Sequence, residues 1–158
     1  MNALLRDSAR AMALAGVLLG LTVALSTVVS IAGRFFLSKP IMGDVEMVQL
    51  GVALCISLCL PWCQWQRAHI IVDFFTQRWR EPTISRLDGM GALLIACVYG
   101  LLAWRSGVGA RSVHEAQEAT MILNLPMWWA YAGLVPGLVL SAAIAAWQAQ
   151  RLLRGKTW

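Results

Sequence analysis

Residues 11–33, with the sequence AMALAGVLLGLTVALSTVVSIAG, form a run of 23 residues without a charged side chain. About 20 apolar residues in a helix are enough to cross a bilayer core about 30 Å thick. A secretory signal also places basic residues before an apolar run, as Arg6 and Arg10 do here, but its apolar core has only about 7–15 residues. The run therefore predicts a transmembrane helix that stays in the protein.

The composition of the whole chain is that of a membrane protein. Of its 158 residues, 59% are hydrophobic and 13% are charged, whereas an ordinary globular domain has about 25% charged residues. Backbone polar groups find no water in hydrocarbon, so only helices and closed barrels span a bilayer. Long unbroken apolar runs do not fit the alternating pattern of barrel strands. The predicted fold class is therefore all-α integral membrane.

Three further uncharged runs have 20, 16 and 32 residues and occupy 47–66, 89–104 and 119–150. The run of 16 is short for a span, but Arg105 can snorkel and the preceding residues can extend the helix. The run of 32 is long enough for a span and a loop before it. We predict a single membrane domain, 1–158, with four spans at about 11–33, 45–66, 85–107 and 127–149.

The distribution of Lys and Arg predicts the orientation of these spans. Of the 13 basic residues, nine fall in the segments on one side of the membrane and four on the other. Cytoplasmic segments carry the excess of Lys and Arg, so both termini are predicted to be cytoplasmic. The net charge of +5 is mostly this excess facing anionic lipid, and it does not require a nucleic-acid partner.

Residues 67–80, RAHIIVDFFTQRWR, follow the second span on the predicted cytoplasmic side. On a helix, His69 and Asp73 share a polar face, while Phe74 and Trp79 lie on the opposite face. This pattern predicts an amphipathic helix in the membrane interface. A membrane-surface anchor is the favoured interpretation, and a contact surface for a partner protein is the alternative.

A second polar segment, 105–118, is predicted on the opposite side of the membrane. Arg111, Glu115 and Glu118 share a helical face, which indicates that the third helix continues beyond the membrane. A solvated helix extension is the favoured interpretation, and a docking surface for a periplasmic partner is the alternative.

The cysteines favour a structural role. Cys55, Cys59 and Cys63 recur every four residues along the second span, and Cys97 lies in the third. Within hydrocarbon, cysteine commonly behaves as a small buried hydrophobe. A membrane thiol–quinone oxidoreductase needs paired cysteines in aqueous loops, where a thiolate can form, and the predicted loops contain none.

The two histidines do not indicate a haem site. His69 and His114 are predicted on opposite sides of the membrane, about 30 Å apart, so they cannot ligate one iron. The sequence also contains no metal-cluster, Walker, dinucleotide or nucleophile motif. It therefore predicts a protein that is not an enzyme and that holds no cofactor of its own.

Small residues predict close helix packing. Gly16 and Gly20 are four residues apart in the first span, as are Gly133 and Gly137 in the fourth, and such ridges let helix backbones approach in lipid. Packing within the chain and contact with a partner both remain open. Pro136 predicts a kink in the fourth span.

The acidic residues argue against an independent transporter. Asp44 and Glu46 stand at the outer end of the second span, and the first and fourth spans contain no charged residue. A carrier with its own ion or substrate path normally buries ionisable side chains within its spans. The chain therefore lacks the residues to transport a solute alone.

Several landmarks occur in a characteristic order: Asp44 and Glu46, then RAHIIVD at 67–73, then LPMWWAY at 125–131 followed by Pro136-Gly137. In this order and spacing the chain resembles the small membrane subunit of tripartite ATP-independent periplasmic (TRAP) transporters, the DctQ-like family. The resemblance covers essentially the whole chain.

The resemblance implies a scaffold subunit of a secondary-active importer of an organic acid in the bacterial inner membrane. A large multi-spanning subunit would carry the substrate and the coupling ion, usually sodium, and a periplasmic solute-binding protein would deliver the acid. With the first glycine ridge included, the candidate structural or partner-contact residues are Gly16, Gly20, Glu46, Arg67, His69, Asp73, Pro126, Trp128 and Pro136.

Two alternatives of other classes remain. A free-standing small-solute carrier would transport in liposomes that contain only this chain. A membrane thiol or quinone oxidoreductase ranks third, because it would need a cofactor or a reactive thiol pair for which the sequence offers no suitably placed ligands.

Overall fold

The computed structural model describes residues 2–37, 42–66 and 81–154, which form four α-helices. The helices are α1 (Asn2–Leu37), α2 (Asp44–Trp65), α3 (Glu81–Glu115) and α4 (Trp128–Leu153). Each is long and apolar enough to cross a membrane. The predicted all-α fold with four spans is thus confirmed, while the predicted amphipathic helix at 67–80 lies outside the described residues.

Two helices extend well beyond the predicted spans. The first helix begins at Asn2 rather than near residue 11, and α3 covers 35 residues rather than about 85–107. A helix satisfies its backbone hydrogen bonds internally and therefore continues past charged residues into water. The length of an uncharged run indicates how much of a helix lies in the hydrocarbon. It does not show where the helix begins or ends.

The four helices stand in a single row in the spatial order α1, α2, α4, α3. The pairs in close contact are α1 with α2, α2 with α4, and α4 with α3. A much smaller contact joins α1 to α4, whereas α3 makes no close backbone contact with α1 or α2. Most of the buried side chains among the described residues belong to α4, which lies inside the row. The order along the row differs from the order along the chain because α4 inserts between α2 and α3.

The contact between α2 and α4 lies where each helix contains a proline. Pro61 has no N–H, so the carbonyl of Ser57 loses its donor within the helix, and this carbonyl packs against Gly137, where an added Cβ would overlap it. In return, the Ser57 hydroxyl donates to the carbonyl of Leu134 at 2.9 Å. Gly133 packs against the Leu54 side chain of α2, so the second glycine ridge packs within the chain.

The first glycine ridge packs on the cysteine stripe of α2. A Cβ on Gly16 would lie 2.9 Å from the Sγ of Cys59, and one on Gly20 would lie 3.0 Å from the Sγ of Cys55. The two sequence patterns are therefore opposite sides of one interface. The two thiols fill the space left by the glycines, as expected of cysteine acting as a small hydrophobe.

The interface between α3 and α4 is antiparallel and rich in small residues, including the buried Ala103, Ala145 and Ala149. Its register follows from two contacts near the ends of the interface. Gly109 lies against the ring of Tyr131, and Gly89 lies against Leu153.

We expect Gly137→Ala to destabilise the protein by about 1–3 kcal/mol, because the added methyl group overlaps the Ser57 carbonyl in a tightly packed contact. Thermal unfolding in mild detergent measures the change. Gly100→Ala is the matched control, since its Cβ position has nothing within 4 Å and the helix gains about 0.5–1 kcal/mol from the substitution. Equal stability of the two variants would contradict this account of the interface.

Candidate functional site

The Glu46 carboxylate anchors the loop between α3 and α4 at one end of the row, which we call the Glu46 end. Its two oxygens accept hydrogen bonds from the backbone N–H groups of Ile122, at 2.9 Å, and Leu123, at 3.0 Å. Glu46 lies in the first turn of α2, where the helix dipole also favours a negative charge. A candidate contact residue is therefore placed by the structure as an anchor within the chain.

Asp44 connects the same end of α2 to α1. It accepts a hydrogen bond from the buried Ser30 hydroxyl at 2.6 Å, and the Arg34 guanidinium lies 3.9 Å from the same oxygen. The two acidic residues at the start of α2 therefore have different tasks: Asp44 holds α1, and Glu46 holds the distant loop. A carboxylate with such partners is positioned to hold α1 against the start of α2.

The anchored loop is a short hairpin. Thr120 donates its backbone N–H to the carbonyl of Leu125 at 2.9 Å and accepts the N–H of Leu125 on its hydroxyl at 3.1 Å. Pro126 forms an isolated antiparallel bridge with Ala119, and Asn124 adopts a left-handed φ of 53°, which Asn tolerates better than most residues. The candidate Pro126 thus takes part in closing the hairpin.

The predicted polar face of the third helix requires a correction. The helix does continue to Glu115, but Gln117 has a φ of 52°, which ends it before Glu118. Glu118 lies in the hairpin, where its backbone carbonyl accepts the N–H of Met127 at 3.0 Å. Arg111 and Glu115 therefore share the helix without Glu118.

Two buried glutamines join α2 to α4 at the opposite end of the row, which we call the Gln64 end. The Gln64 side chain donates to the Gln148 side chain at 2.8 Å, and Gln148 donates to the backbone carbonyl of Gln64 at 2.9 Å. Both residues are 2% exposed. An amide inside an apolar run is a signal of helix–helix contact, and it is the signal by which this pair could have been found from the sequence.

Aromatic rings extend this contact. The rings of Trp65 and Trp147 stack with centroids 5.4 Å apart and an interplanar angle of 10°. The Arg151 guanidinium lies 4.9 Å from the centroid of the Trp147 ring, within cation–π range. At the Glu46 end, the candidate Trp128 packs edge-on against His114, with ring centroids 5.3 Å apart. Each end of α4 therefore has an aromatic contact with a neighbouring helix.

Arg105 stands deep within the row and not at its end. The contacts of Gly109 with Tyr131 and of Gly89 with Leu153 place Arg105 beside Pro136 on the antiparallel α4. Pro136 is eight residues from the start of α4 at Trp128, or about 12 Å along the axis at 1.5 Å per residue. Trp side chains are enriched at the membrane–water interface, so with Trp128 and Trp129 at that level this depth lies inside a hydrocarbon core about 30 Å thick.

The side chain of Arg105 faces away from the row. Ala103 is buried against α4, and two residues further on Arg105 lies about 200° around the helix and is exposed. An arginine at the centre of a membrane helix costs about 2.5–3.5 kcal/mol on insertion scales. The uncharged run ends at Trp104 and therefore predicts Arg105 at a membrane boundary. The length of a run carries no information on how the helix is aligned with its neighbours.

The remaining candidates divide between described and undescribed parts of the chain. Gly16, Gly20 and Pro136 lie within the packed row, while Arg67, His69 and Asp73 lie outside the described residues.

The described residues include an apolar cavity of about 190 Å³ on α3, lined by Leu94, Ile95, Val98 and Tyr99. Across the described ranges, no three His, Cys, Asp or Glu residues are grouped so that they could hold a metal ion. The buried polar side chains of the row instead bind one another or the backbone, so the arrangement is suited to holding helices in place.

Comparison with known proteins identifies one family. The family described as "Tripartite ATP-independent periplasmic transporters, DctQ component" matches residues 23–155, well over half of the chain. Neither the curated proteins nor the solved structures include a match.

We expect Glu46→Gln to loosen the hairpin, because an amide has only one oxygen to accept the two backbone N–H groups. Amide hydrogen exchange at Ile122 and Leu123 should accelerate on the order of tenfold, since bonds to a charged acceptor are the stronger ones. Glu118→Gln, on the same hairpin, is the matched control and should leave both amides protected. Unchanged exchange in the Glu46 variant would refute the anchoring role.

We expect Gln148→Leu to destabilise the protein by about 1–2 kcal/mol, because Gln64 loses its buried partner. The double variant Gln64→Leu with Gln148→Leu should cost less than the sum of the single changes, with a coupling of about 0.6–1.7 kcal/mol. Unfolding in SDS titrations gives all three values. Gln150→Leu, at an exposed position of the same helix, is the control, and additive costs for the glutamine pair would contradict the interaction.

Proposed function

Because the chain belongs to the DctQ component family of tripartite ATP-independent periplasmic transporters, we propose that it is the small scaffold subunit of an ion-coupled importer of an organic acid. In this proposal a large multi-spanning subunit carries the substrate and the coupling ion, which we propose is sodium. A periplasmic solute-binding protein captures the acid and delivers it. The chain itself braces the static part of the large subunit.

The observation that carries this proposal is the use of the polar side chains within the helix row. Ser30, Ser57, Gln64 and Gln148 each bond to another helix of the same chain, and Glu46 bonds to the hairpin. These groups fix helix positions. A carrier needs polar groups that exchange partners with its substrate, so this arrangement supports a bracing role over a transporting one.

We further propose that the chain lies in the bacterial inner membrane with both termini in the cytoplasm, as the nine basic residues on one side favour. The Glu46 end then faces the periplasm and the Gln64 end faces the cytoplasm. Residues 67–80 follow α2 on the cytoplasmic side, where Arg67, His69 and Asp73 are proposed to contact lipid headgroups or the partner.

Purification of the tagged chain from its native membranes in mild detergent tests the proposal. We expect one large polytopic membrane protein in stoichiometric amount, because a scaffold acts only in a complex. An unrelated tagged four-span protein, purified in parallel, controls for general adhesion of membrane proteins.

Transport assays in liposomes complete this test. Liposomes with the chain alone should take up no labelled organic acid, whereas the complex with its binding protein should do so under a sodium gradient. Uptake by the chain alone, combined with recovery of the chain without a partner, would identify a free-standing carrier instead.

A further inference from the structure

Arg105 is a charged side chain at membrane depth for which the helix row supplies no acidic partner. It stands beside Pro136, about 12 Å inside the Trp128 end of α4. A second measure agrees, because Ser57, which contacts the neighbouring Gly137, lies 11 residues beyond Glu46 on α2, or about 16 Å. Both measures place the arginine within the hydrocarbon core.

Apart from Asp73, which lies outside the described residues, the acidic residues of this chain lie at other levels. The chain contains eight Asp and Glu residues: Asp7, Asp44, Glu46, Asp73, Glu81, Asp88, Glu115 and Glu118. On the same helix, Asp88 is 17 residues before Arg105 and Glu115 is 10 residues after it, which is about 26 Å and about 15 Å along the axis. Asp44 and Glu46 are engaged at the Glu46 end of the row.

The environment of Arg105 is an open helix face. Leu101 and Val108, one turn before and after it, are 58% and 43% exposed. Gly100 and Gly107 have nothing within 4 Å of a Cβ position, so a neighbouring helix can approach the α3 backbone closely. Because α3 is the last helix of the row, this face is its outer edge.

We propose that the face of α3 around Arg105 docks on a membrane-spanning helix of the large partner subunit that presents a carboxylate to the guanidinium. The inference rests on the proposed function, since it requires such a partner. Charged side chains within membrane segments are almost always paired or directed into a protein interior, and a carboxylate matches the planar guanidinium with two parallel hydrogen bonds.

A second copy of this chain does not fit the same face. A copy inserted in the same orientation has the acidic residues of its described ranges at the same levels as the first, so these ranges bring another Arg105 to this depth and no carboxylate. Two like charges in hydrocarbon repel each other strongly because the dielectric constant is low. The complementary charge must therefore come from a different chain.

The test compares three variants of the tagged chain in complex with its partner. Arg105→Leu should reduce the partner recovered per tagged chain by at least about tenfold, since it leaves the partner's carboxylate buried and unpaired. Arg105→Lys should retain a substantial part of the complex because it keeps the charge. Arg111→Leu, the same change six residues along the same helix, should have less than about a twofold effect, since Arg111 lies nearer the membrane surface.

Leucine favours membrane insertion more than arginine does, so loss of the Arg105→Leu complex cannot be attributed to failed insertion when equal amounts of chain are present in the membrane. Full recovery of the partner with Arg105→Leu overturns the inference and leaves the scaffold function intact. Equal losses with the leucine variants at 105 and 111 also overturn it. If the unmodified chain recovers no large membrane protein, the proposed function itself fails.

Discussion

The close approach of α2 and α4 at Ser57 and Gly137 is the contact on which the rest of the structure depends. A proline in each helix and a glycine at the crossing allow the two backbones to approach closely, and the Ser57 hydroxyl uses the Leu134 carbonyl as its acceptor. Since lipid is as apolar as leucine, close packing and interhelical hydrogen bonds provide the main drive for helix association. The remaining helices attach to this pair, α1 on one side and α3 on the other.

Different interactions stabilise the two ends of the α2–α4 pair. At the Gln64 end, two buried amides bond to each other and set the register of the helices. At the Glu46 end, a carboxylate holds the hairpin that leads into α4, so it also fixes where α4 begins. The row is therefore held at its centre and at both ends by contacts within the chain, which suits the proposed bracing role.

The sequence predicts the helices well and their neighbours poorly. The bilayer demands uncharged runs of a certain length, so counting residues was enough to find four spans. Counting was not enough to predict which helices are neighbours, because the apolar faces of different helices have similar sequences. No local sequence pattern indicates that α4 inserts between α2 and α3. The glycine ridge at Gly16 and the cysteine stripe at Cys59 are both visible in the sequence. The contact between them depends on how α1 and α2 pack, which neither pattern shows. Glu46 was selected as a candidate, but its loop partners lie 76 residues away.

The two edges of the row differ in a way that bears on how a partner recognises it. Between residues 11 and 33 the edge formed by α1 carries no charge, with Leu14, Leu18 and Leu25 between 59% and 65% exposed, and lipid tails cover such a surface as well as a protein does. The α3 edge carries Arg105, which lipid covers poorly. A buried charge pair adds little net affinity, but it fixes register and excludes wrong partners. In the proposed complex, an arginine on one edge alone therefore gives the row a single orientation against its partner.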